Sequence, residues 1–585
     1  MAEELSSNNM IPEEEQKVIE TLEEIVGDLI PKLNEIQYHN VGYLVQGGHI
    51  TSLGLFSCNL TTIPDSIKSL HNLKSLFLRG NNLSSLPEDI VSLISLEMLD
   101  LSENHLTTLR KSISKLSSLK ELYLESNNLT ILPDSIGDLT FLEYLDLSEN
   151  ELSELPTSLK FLKNLKTLDL SGNRLEVFNP QIDSLVSLEI LYLGNNKLSD
   201  LPDSIGSFKS LQKLNVRNNN LQLLPNSIGS IPCLKSLFLK GNCIESLPNS
   251  LGNLTNLRYL GLMENKLKAL PESMGSLKCL ESLSLSSNNL IEIPPSIGNL
   301  KSLVRLDIQN NKLADLPESI SGLTSLKRLN LLRNELIKIP NSIGKITNLE
   351  ELRMGRNQLK SLPESIKLLK SLKELDLYNN SLEKIPESMG SLTSLEILDL
   401  SNNKIKELPE SIGNLTGLRE LDLSNNDLRN LVSTIGALNQ LTNLILGFNR
   451  LVSIPKSIGS LSSLETLDLG KNILTKIPKS IGSLRSLKYL YVYYNNLEKI
   501  PESIGSLQSL KYLYLGNNNL RSIPDSIGSL SSLKYLFLRT NSLTKLPTSI
   551  ESLTSLKYLN IQKNNITEHI EPLEKLKKRG VKIIQ

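Results

Sequence analysis

Leucine recurs along the chain with a period of 23 residues and no insertion or deletion. Starting at Leu73, a leucine stands at every twenty-third position as far as Leu556, which defines 22 repeats. A second leucine follows three positions later, from Leu76 to Leu559, and a third apolar residue comes two positions after that. The alternation in L-x-x-L-x-L predicts a short β-strand with one face inward. Because one repeat cannot bury this face alone, we expect stacked repeats that share a core.

Asparagine and proline follow the predicted strand at fixed positions. The ninth position of the repeat is asparagine in all 22 cases, from Asn81 to Asn564. Since an amide side chain both donates and accepts hydrogen bonds, these residues are predicted to form a ladder with the backbone of adjacent turns. Proline fills 19 of the 22 equivalent positions between Pro64 and Pro547, and its fixed φ predicts the start of a short helical or 3-10 segment. Three repeats lack this proline and are expected to have altered segments, at Arg110, Asn179 and Val432.

The chain before the first repeat is predicted to form a cap. Residues 12–34 carry apolar residues at helical spacing, namely Val18, Leu22, Ile25, Leu29 and Leu33. Pro31 is expected to end or kink this helix near residue 30. Val41–Gln46 and His49–Leu55, joined by Gly47 and Gly48, predict a hairpin into the first repeat. The alternative for residues 12–34 is a helix that binds a partner or a second copy.

The other end of the chain carries a similar signal. Pro572 is expected to open a helix with Leu573 and Leu576 inward, Gly580 to end it, and residues 581–584 to add a last strand. The sequence therefore predicts three segments. They are an N-terminal helix and hairpin cap at 1–49, an array of 23 repeats with the last truncated at 50–567, and a helix and strand cap at 568–585.

The full unit is L-x-x-L-x-L-x-x-N-x-L-x-x-[LI]-P-x-S-I-G-x-L-x-x, and it resembles the leucine-rich repeat over nearly the whole chain. Its 23-residue form with P-x-S-I-G is similar to the intracellular Ras-group leucine-rich-repeat proteins of plants and to the Ras-pathway scaffold of animals, and similar arrays occur in bacteria and archaea. The resemblance implies an α/β repeat solenoid, a leucine-rich-repeat horseshoe with a concave parallel β-sheet and convex short helical or 3-10 segments. It also implies small GTPases or signalling enzymes as partners.

Composition and motifs narrow the classes of function. The 62 Lys and Arg residues balance the 63 Asp and Glu residues, so the basic excess of a dedicated nucleic-acid binder is missing. The sequence has no P-loop, no G-x-S-x-G motif and no G-x-G-x-x-G motif after a strand. None of its histidines forms a recognisable metal-ligand motif with Cys, Asp or Glu. We therefore expect no enzyme, no metal and no cofactor.

The N-terminal residues and the cysteines bear on localisation. The first ten residues are polar and acidic and lack the features of a signal peptide. No run of about 18 apolar residues occurs, so no membrane span is expected. The four cysteines are scattered and form no disulfide framework. These observations favour a cytoplasmic protein.

Aromatic residues collect near the C-terminal end of the array. Residues 487–558 hold 9 of the 24 Phe and Tyr residues. The 23-residue step places them in columns on adjacent strands, where they are predicted to stack and bind a protein partner. The candidate binding residues are Tyr489, Tyr491, Tyr493, Tyr512, Tyr514, Tyr535, Phe537 and Tyr558. The alternative is that L-K-Y-L-Y was copied by repeat duplication and the tyrosines mainly stabilise the sheet.

A charged stretch precedes the aromatic one. Its basic candidates are Arg305, Arg328 and Arg353, and its acidic candidates are Glu374, Asp376, Asp399 and Asp422. Two hypotheses remain open, a self-screening mosaic and a bipolar docking surface that affects the rate and specificity of association. A further acidic region with a weaker signal comprises Asp100, Glu121, Glu125, Asp146, Glu149 and Asp169.

The expected function is a non-catalytic scaffold or adaptor that binds a protein partner on its concave face. We expect a monomer or a weak homo-oligomer. Two alternatives stay open: a secreted or surface-exposed adhesin or receptor-type binding protein, and a self-associating structural protein.

Overall fold

The computed structural model describes residues 11–37, 39–178, 184–568 and 571–585, and the chain divides into two compact units, Met1–Asn289 and Leu290–Gln585. Each unit repeats a three-residue strand, a turn and a 3-10 helix at the 23-residue period. The prediction of an α/β repeat solenoid with parallel strands and short 3-10 segments is therefore confirmed.

The first unit begins with a helix and a hairpin and continues with repeat strands. Helix α1 is Glu13–Val26, followed by β1 (Lys32–Leu33), β2 (Val41–Gln46) and β3 (His49–Leu55). Strands β4 to β13 are Ser75–Phe77, Met98–Asp100, Glu121–Tyr123, Tyr144–Asp146, Thr167–Asp169, Ile190–Tyr192, Lys213–Asn215, Ser236–Phe238, Tyr259–Gly261 and Ser282–Ser284. The 3-10 helices are Asp65–Ser69, Glu88–Ser92, Lys111–Lys115, Asp134–Asp138, Thr157–Phe161, Asp203–Ser207, Asn226–Ser230, Asn249–Asn253 and Glu272–Ser276.

The second unit contains repeat strands and a terminal helix. Strands β14 to β25 are Arg305–Asp307, Arg328–Asn330, Glu351–Arg353, Glu374–Asp376, Ile397–Asp399, Glu420–Asp422, Asn443–Ile445, Thr466–Asp468, Tyr489–Tyr491, Tyr512–Tyr514, Tyr535–Phe537 and Tyr558–Asn560. Helix α2 is Glu571–Lys578 and β26 is Lys582–Ile584. The 3-10 helices are Pro295–Asn299, Glu318–Gly322, Asn341–Lys345, Glu364–Leu368, Glu387–Ser391, Glu410–Asn414, Ser433–Ala437, Lys456–Ser460, Lys479–Ser483, Glu502–Ser506, Asp525–Ser529 and Thr548–Ser552.

Neighbouring repeat strands pair in parallel, and the pairing advances by one repeat at each step. In the first unit β1 pairs in parallel with β2, β2 pairs antiparallel with β3, and parallel pairing continues from β3 to β13. In the second unit all pairs from β14 to β26 are parallel. The register aligns residues 23 apart, so equivalent repeat positions form straight columns within each unit.

The leucine columns form the core of each unit. Leu76 and Leu78, the second and third apolar positions of one repeat, have no exposed surface, and the same holds for nearly every equivalent residue. Ile67, from a 3-10 helix, is also fully buried. The core therefore lies between the strands and the 3-10 helices, and the residues that flank the middle leucine lie on the outer face of the strands, called the sheet face here.

The asparagine column forms the predicted ladder. The Asn357 side chain is representative: its Oδ1 accepts from the Leu336 N–H at 3.0 Å, and its Nδ2 donates to the carbonyl oxygens of Leu331 at 3.0 Å and Met354 at 2.9 Å. Asn81 makes the equivalent bonds at the start of the array. Each amide thus links its own turn to the preceding repeat, where buried backbone groups would otherwise lack partners.

The residue just before the ladder asparagine has a left-handed backbone in every repeat. Its φ lies between 49° and 74° from Gly80 to Lys563. Glycine and asparagine adopt this conformation readily, whereas a β-branched residue there is strained. Thr540, with φ of 55°, is such a residue.

Two of the three repeats without proline have ordinary 3-10 helices, which corrects the expectation of altered segments. Arg110 has φ of −68° and Val432 has φ of −67°, and both precede a five-residue 3-10 helix. The backbone of these residues matches that of Pro133, whose φ is −69°. Packing of the buried isoleucine that follows therefore sets the conformation without help from the proline ring. Asn179 lies outside the described residues.

The N-terminal helix is shorter than predicted. It ends at Val26 because Gly27 adopts a left-handed conformation with φ of 76°, so Pro31 is not its end. Val18 and Leu22 are buried as expected, but Ile25 is 46% exposed and Leu29, beyond the helix, is 77% exposed. The predicted hairpin of β2 and β3 is confirmed.

A buried carboxylate joins this helix to the first strand. Glu15 is 3% exposed, and its two carboxylate oxygens accept from the Ile50 N–H and contact Nδ1 of His49, each at 2.7 Å. At the other end Leu573 and Leu576 of α2 are buried, and β26 pairs with β25. Both terminal elements were predicted from the sequence.

We predict that Asn357→Ala lowers the free energy of unfolding by about 1–3 kcal/mol, because buried backbone groups lose their partners. Denaturant unfolding followed by circular dichroism measures the change. Asn439→Ala is the matched control, since Asn439 is exposed. Equal stability of the two variants would contradict the role given to the ladder.

We also predict that Thr540→Asn raises the free energy of unfolding by about 0.5–1 kcal/mol, because asparagine tolerates a positive φ better than threonine does. Thermal melting of the variant measures it. The control is Thr393→Asn at an exposed position that has no positive φ. A variant at residue 540 that melts below the unaltered chain would refute this account of strain.

Candidate protein-binding surface

Two columns of stacked rings cover the sheet face of strands β22 to β25. They are called the tyrosine ladders here, the first comprising Tyr489, Tyr512, Tyr535 and Tyr558 and the second Tyr491, Tyr514 and Phe537. Four of the five neighbouring pairs are stacked with ring centroids 4.2–5.0 Å apart, and the fifth, Tyr535 with Tyr558, is tilted at 6.3 Å. Phe537 also lies 5.1 Å from Tyr558, which joins the two columns at one end. The predicted columns are thus confirmed as ring stacks.

The ladders remain partly accessible to solvent. All seven side chains have intermediate exposure, unlike the leucines between them. Burial against neighbouring rings raises the pKa of Tyr491 and Tyr514. These two phenols therefore stay neutral at physiological pH and keep their hydroxyl donors.

Lysines flank the ladders along the same strands. Lys488 forms an ion pair with Glu465 at 2.6 Å. The three equivalent lysines of the next repeats, Lys511, Lys534 and Lys557, have no acidic partner within 4 Å among the described residues. The ladder surface therefore carries uncompensated positive charge beside its aromatic rings.

A further aromatic cluster at the strand ends was only partly found from the sequence. Phe448, Lys471 and Tyr494 occupy the left-handed position of three successive repeats. The Lys471 ammonium lies 4.0 Å from the Phe448 ring centroid and 5.7 Å from that of Tyr494. Tyr493, a candidate residue, meets Tyr494 edge to face at 6.1 Å. The cluster could have been predicted from the sequence, because Phe448, Lys471 and Tyr494 are spaced 23 residues apart.

The charged candidates lie in the second unit on β14 to β19, and several pair with one another. Nε of Arg353 lies 2.8 Å from Glu351 and 2.8 Å from Glu374. Arg328 lies 3.6 Å from Glu351, and Arg305 lies 4.0 Å from Asp307. A small cavity of about 210 Å³ opens between the arginines. These contacts favour the self-screening mosaic for the arginines.

The acidic candidates have a structural role of their own. Asp376, Asp399 and Asp422 align in one column. Each Oδ1 accepts from the backbone N–H two residues later, at Tyr378, Ser401 and Ser424, over 2.8–3.0 Å. Burial, with neighbouring acids, raises the pKa of Asp376 to about 6. Burial also raises the pKa of Asp422. The three aspartates therefore brace the turn after the strand, and burial makes the charged form of Asp376 and Asp422 less favourable.

The first unit has aromatic residues on its own sheet face, which sequence reasoning missed. Phe77, Tyr123 and Tyr144 lie beside the acidic residues Asp100, Glu125 and Asp146 and line one pocket with them. The sequence does contain a signal for this pocket. Residues 77, 100, 123 and 146 form one column, in which the aromatic residues Phe77 and Tyr123 alternate with the acidic residues Asp100 and Asp146.

Among the described residues no group of three or more His, Cys, Asp or Glu side chains has an arrangement that would hold a metal ion. Over those same ranges, no helix combines the length and the apolar composition that crossing a bilayer requires.

We predict that Asp376→Asn makes the second unit more stable than the unaltered chain above pH 6 but not near pH 4. The Asp376 carboxyl binds its proton more tightly in the folded chain than in the unfolded chain, where its pKa has the ordinary value of 3.8. The stability of the unaltered chain therefore falls as pH rises from about 4 to about 6, by about 1–2 kcal/mol after allowance for partial exposure.

Denaturant midpoints of both proteins at pH 4 and pH 8 provide the measurement. The control is Asp525→Asn, an exposed change in the first turn of a 3-10 helix. The assignment fails if the stability difference between the Asp376 variant and the unaltered chain is the same at both pH values.

Solved structures with this architecture are similar to the chain over most of its length. A plant peptide hormone receptor, RGFR1 in complex with RGF2, is 31% identical with a TM-score of 0.65, and the match covers 92% of each chain. The Arabidopsis receptor kinase HAESA, in complex with the peptide hormone IDA and the co-receptor SERK1, is 29% identical with a TM-score of 0.63, and covers 94% of this chain and 93% of its own. A leucine-rich-repeat protein of Leptospira interrogans is 31% identical with a TM-score of 0.57, over 76% of this chain and 96% of its own.

Family models match almost the entire array. The model described as "Leucine-rich repeat region" matches residues 177–257, 248–355, 341–444, 387–476, 446–512 and 475–583. The model described as "Leucine rich repeat" matches residues 48–106, 95–152 and 117–175. No curated protein matches the sequence. Because the matched ranges cover more than half of the chain and agree with the repeat fold, the protein belongs to the leucine-rich-repeat family.

Proposed function

We propose that the protein is a non-catalytic scaffold whose tyrosine ladders bind a protein partner. The observation that carries the proposal is the pair of stacked aromatic columns on β22 to β25, with centroids 4.2–5.0 Å apart. Leucine-rich-repeat structures of this kind are consistent with protein–protein interaction. Tyrosine is enriched at the energetic centres of interfaces because it offers area and a polar hydroxyl with few rotatable bonds.

The rigid frame beneath the ladders supports this function. The leucines that alternate with the tyrosines, Leu490, Leu513 and Leu536, are fully buried. Every ladder tyrosine except Tyr558, whose ring is tilted against its neighbours, is further held by a stacked ring. The surface is therefore ordered before a partner arrives, and little conformational entropy is lost on binding.

The charge beside the ladders indicates the chemistry of the partner. Lys511, Lys534 and Lys557 have no acidic partner within 4 Å among the residues described. A partner with carboxylates next to apolar side chains would complement this surface. In this proposal Arg305, Arg328, Arg353, Glu374, Asp376, Asp399 and Asp422 affect the rate of association rather than anchoring the partner.

The proposed setting is the cytoplasm, with a small GTPase or another signalling enzyme as the partner. The P-x-S-I-G form of the repeat supports this setting, because it resembles intracellular Ras-group proteins. We further propose that residues 1–49 and 568–585 cap the array at 50–567, and that the protein is a monomer or a weak homo-oligomer.

A receptor-type function is the second candidate. Two of the similar structures are a plant peptide hormone receptor in complex with RGF2 and a plant receptor kinase in complex with the peptide hormone IDA. In this alternative the same surface takes a peptide outside the cell. Fractionation of the native host separates the two settings, because the scaffold is expected in the cytosolic fraction and the receptor-type protein outside it.

We predict that the triple variant Tyr491→Ala, Tyr514→Ala, Phe537→Ala loses its partner. The first step captures proteins from native lysate with the full chain, and the second measures the affinity of each purified candidate by calorimetry. The triple variant is expected to bind at least about 30-fold more weakly, because aromatic hot spots contribute about 2 kcal/mol or more.

The control is a second triple variant that also loses three aromatic side chains from a sheet face, but outside the tyrosine ladders. It is Tyr192→Ala, Phe238→Ala, Tyr259→Ala, all in the first unit. Circular dichroism must show that both variants are folded. Partners that bind the ladder variant and the unaltered chain with equal affinity would remove the ladders from the proposed function.

A further inference from the structure

A pocket on the sheet face of the first unit differs in chemistry from the tyrosine ladders. Its volume is about 580 Å³. Strands β4 to β7 form its floor, and Ile36 and Gln37, between β1 and β2, form one wall. The N-terminal segment thus adds a wall to part of the open sheet and makes a partly open pocket there.

Aromatic rings make up part of the lining. Tyr123 and Tyr144 lie with ring centroids 4.8 Å apart and planes inclined by 33°. The Tyr123 hydroxyl donates to Glu121 at 2.7 Å, which fixes its ring. Phe77 lines the same pocket and is 8% exposed. The electron-rich faces of such rings attract cations.

Carboxylates make up much of the rest of the lining, and their charge is only partly compensated. Arg79 lies 2.6 Å from Glu103 and 3.0 Å from Glu125, so its charge is already paired. Asp100 and Asp146 also line the pocket. Neither has a basic side chain within 4 Å among the described residues, although the charge of Arg79 lowers the pKa of Asp100 from a longer distance.

Asp100 is the most deeply buried carboxylate of this lining, with 4% of its surface exposed. Its Oδ1 accepts from the Ser102 N–H at 2.9 Å, and it stands in register between Phe77 and Tyr123. Buried carboxylates in proteins are normally paired with a cation, since an unpaired one loses its hydration without compensation. Burial raises the pKa of Asp100, and the hydrogen bonds from Ser102 and the charge of Arg79 offset this only in part. The lining thus carries three carboxylates, Asp100, Glu125 and Asp146, against the one guanidinium of Arg79, so its net charge is negative.

We propose that this pocket binds the guanidinium group of an arginine side chain presented by another protein. A guanidinium is planar, stacks on tyrosine rings and bonds carboxylates through two parallel N–H groups. An ammonium is compact and more strongly hydrated, so it gains less from an aromatic pocket. The site is separate from the tyrosine ladders, and its test does not depend on their function.

The probe is the peptide acetyl-Gly-Gly-Arg-Gly-Gly-amide with a carbon-13-labelled arginine side chain. The full chain is titrated into it, and the arginine Cδ–Hδ signal is followed by NMR. Ring currents of Tyr123 and Tyr144 are expected to move this signal upfield. Affinity for the arginine peptide is expected to exceed that for the isosteric, uncharged citrulline peptide by about tenfold. The lysine peptide is expected to bind more weakly than the arginine peptide.

Three variants localise the binding. Tyr144→Ser and Asp146→Asn are each expected to weaken binding of the arginine peptide by about fivefold or more. Tyr259→Ser, on the same sheet face but outside the pocket, is expected to leave it unchanged. Should Tyr144→Ser fail to fold, Asp146→Asn decides alone, because an amide oxygen can still accept from Ser148 as Oδ1 does.

Equal binding of the arginine and citrulline peptides would overturn the proposal, as would full affinity in Asp146→Asn. A lysine peptide that binds as well as the arginine peptide would overturn the assignment to a guanidinium.

Discussion

The hydrogen bonds of one buried amide per repeat hold the strands of this protein in register. After the three-residue strand the backbone leaves the sheet and turns through the interior, where its N–H and C=O groups meet no water. Asparagine supplies an acceptor to one repeat and donors to two turns at once, as Asn357 does for Leu336, Leu331 and Met354. Neighbouring strands therefore keep a fixed spacing and an unshifted alignment. The aromatic columns stack only because this alignment places identical positions side by side.

In the same geometry, some residues that resemble binding residues in the sequence stabilise the backbone instead. Aspartates of the L-D-L-S type form acidic columns, yet each bonds a backbone N–H two residues ahead, as Asp399 does with Ser401. The left-handed position is filled in several repeats by residues that do not favour it, including Phe448 and Tyr494. Backbone strain of this kind persists where the surrounding fold compensates for it. These side chains are 47% and 53% exposed, so the fold holds large aromatic groups at the surface.

Much of the fold could be predicted because the period sets the register directly. The strands, the ladder, the hairpin of β2 and β3 and both terminal helices follow from apolar spacing and from the chemistry of asparagine, proline and glycine. One expectation was wrong because packing overrides a local signal, and another because a nearer local signal ends the helix first. Arg110 and Val432 adopt the backbone of the missing proline, and Gly27 ends α1 before Pro31 can.

The sites were less predictable than the fold. Columns of like residues, such as the tyrosine ladders, are visible as a 23-residue repeat. The pocket of Phe77, Asp100 and Tyr123 mixes residue types, and Ile36 reaches it from outside the repeat, so periodicity alone does not reveal it. Ion pairs such as Arg353 with Glu374 also require side-chain geometry, which decides whether a charge is available to a partner.

The amide ladder has a direction along the chain. In the bonds of Asn81 and Asn357 every partner precedes the asparagine, at most 26 residues earlier. During synthesis each amide therefore finds its partners already made, and a repeat can join the folded part as soon as it leaves the ribosome. The ladder bonds are thus compatible with repeats that join from the N-terminal side, where Glu15 of α1 accepts from the Ile50 N–H of β3. Loss of C-terminal repeats leaves every remaining ladder asparagine with its partners, whereas loss of N-terminal repeats removes partners from the first ladder asparagine that remains.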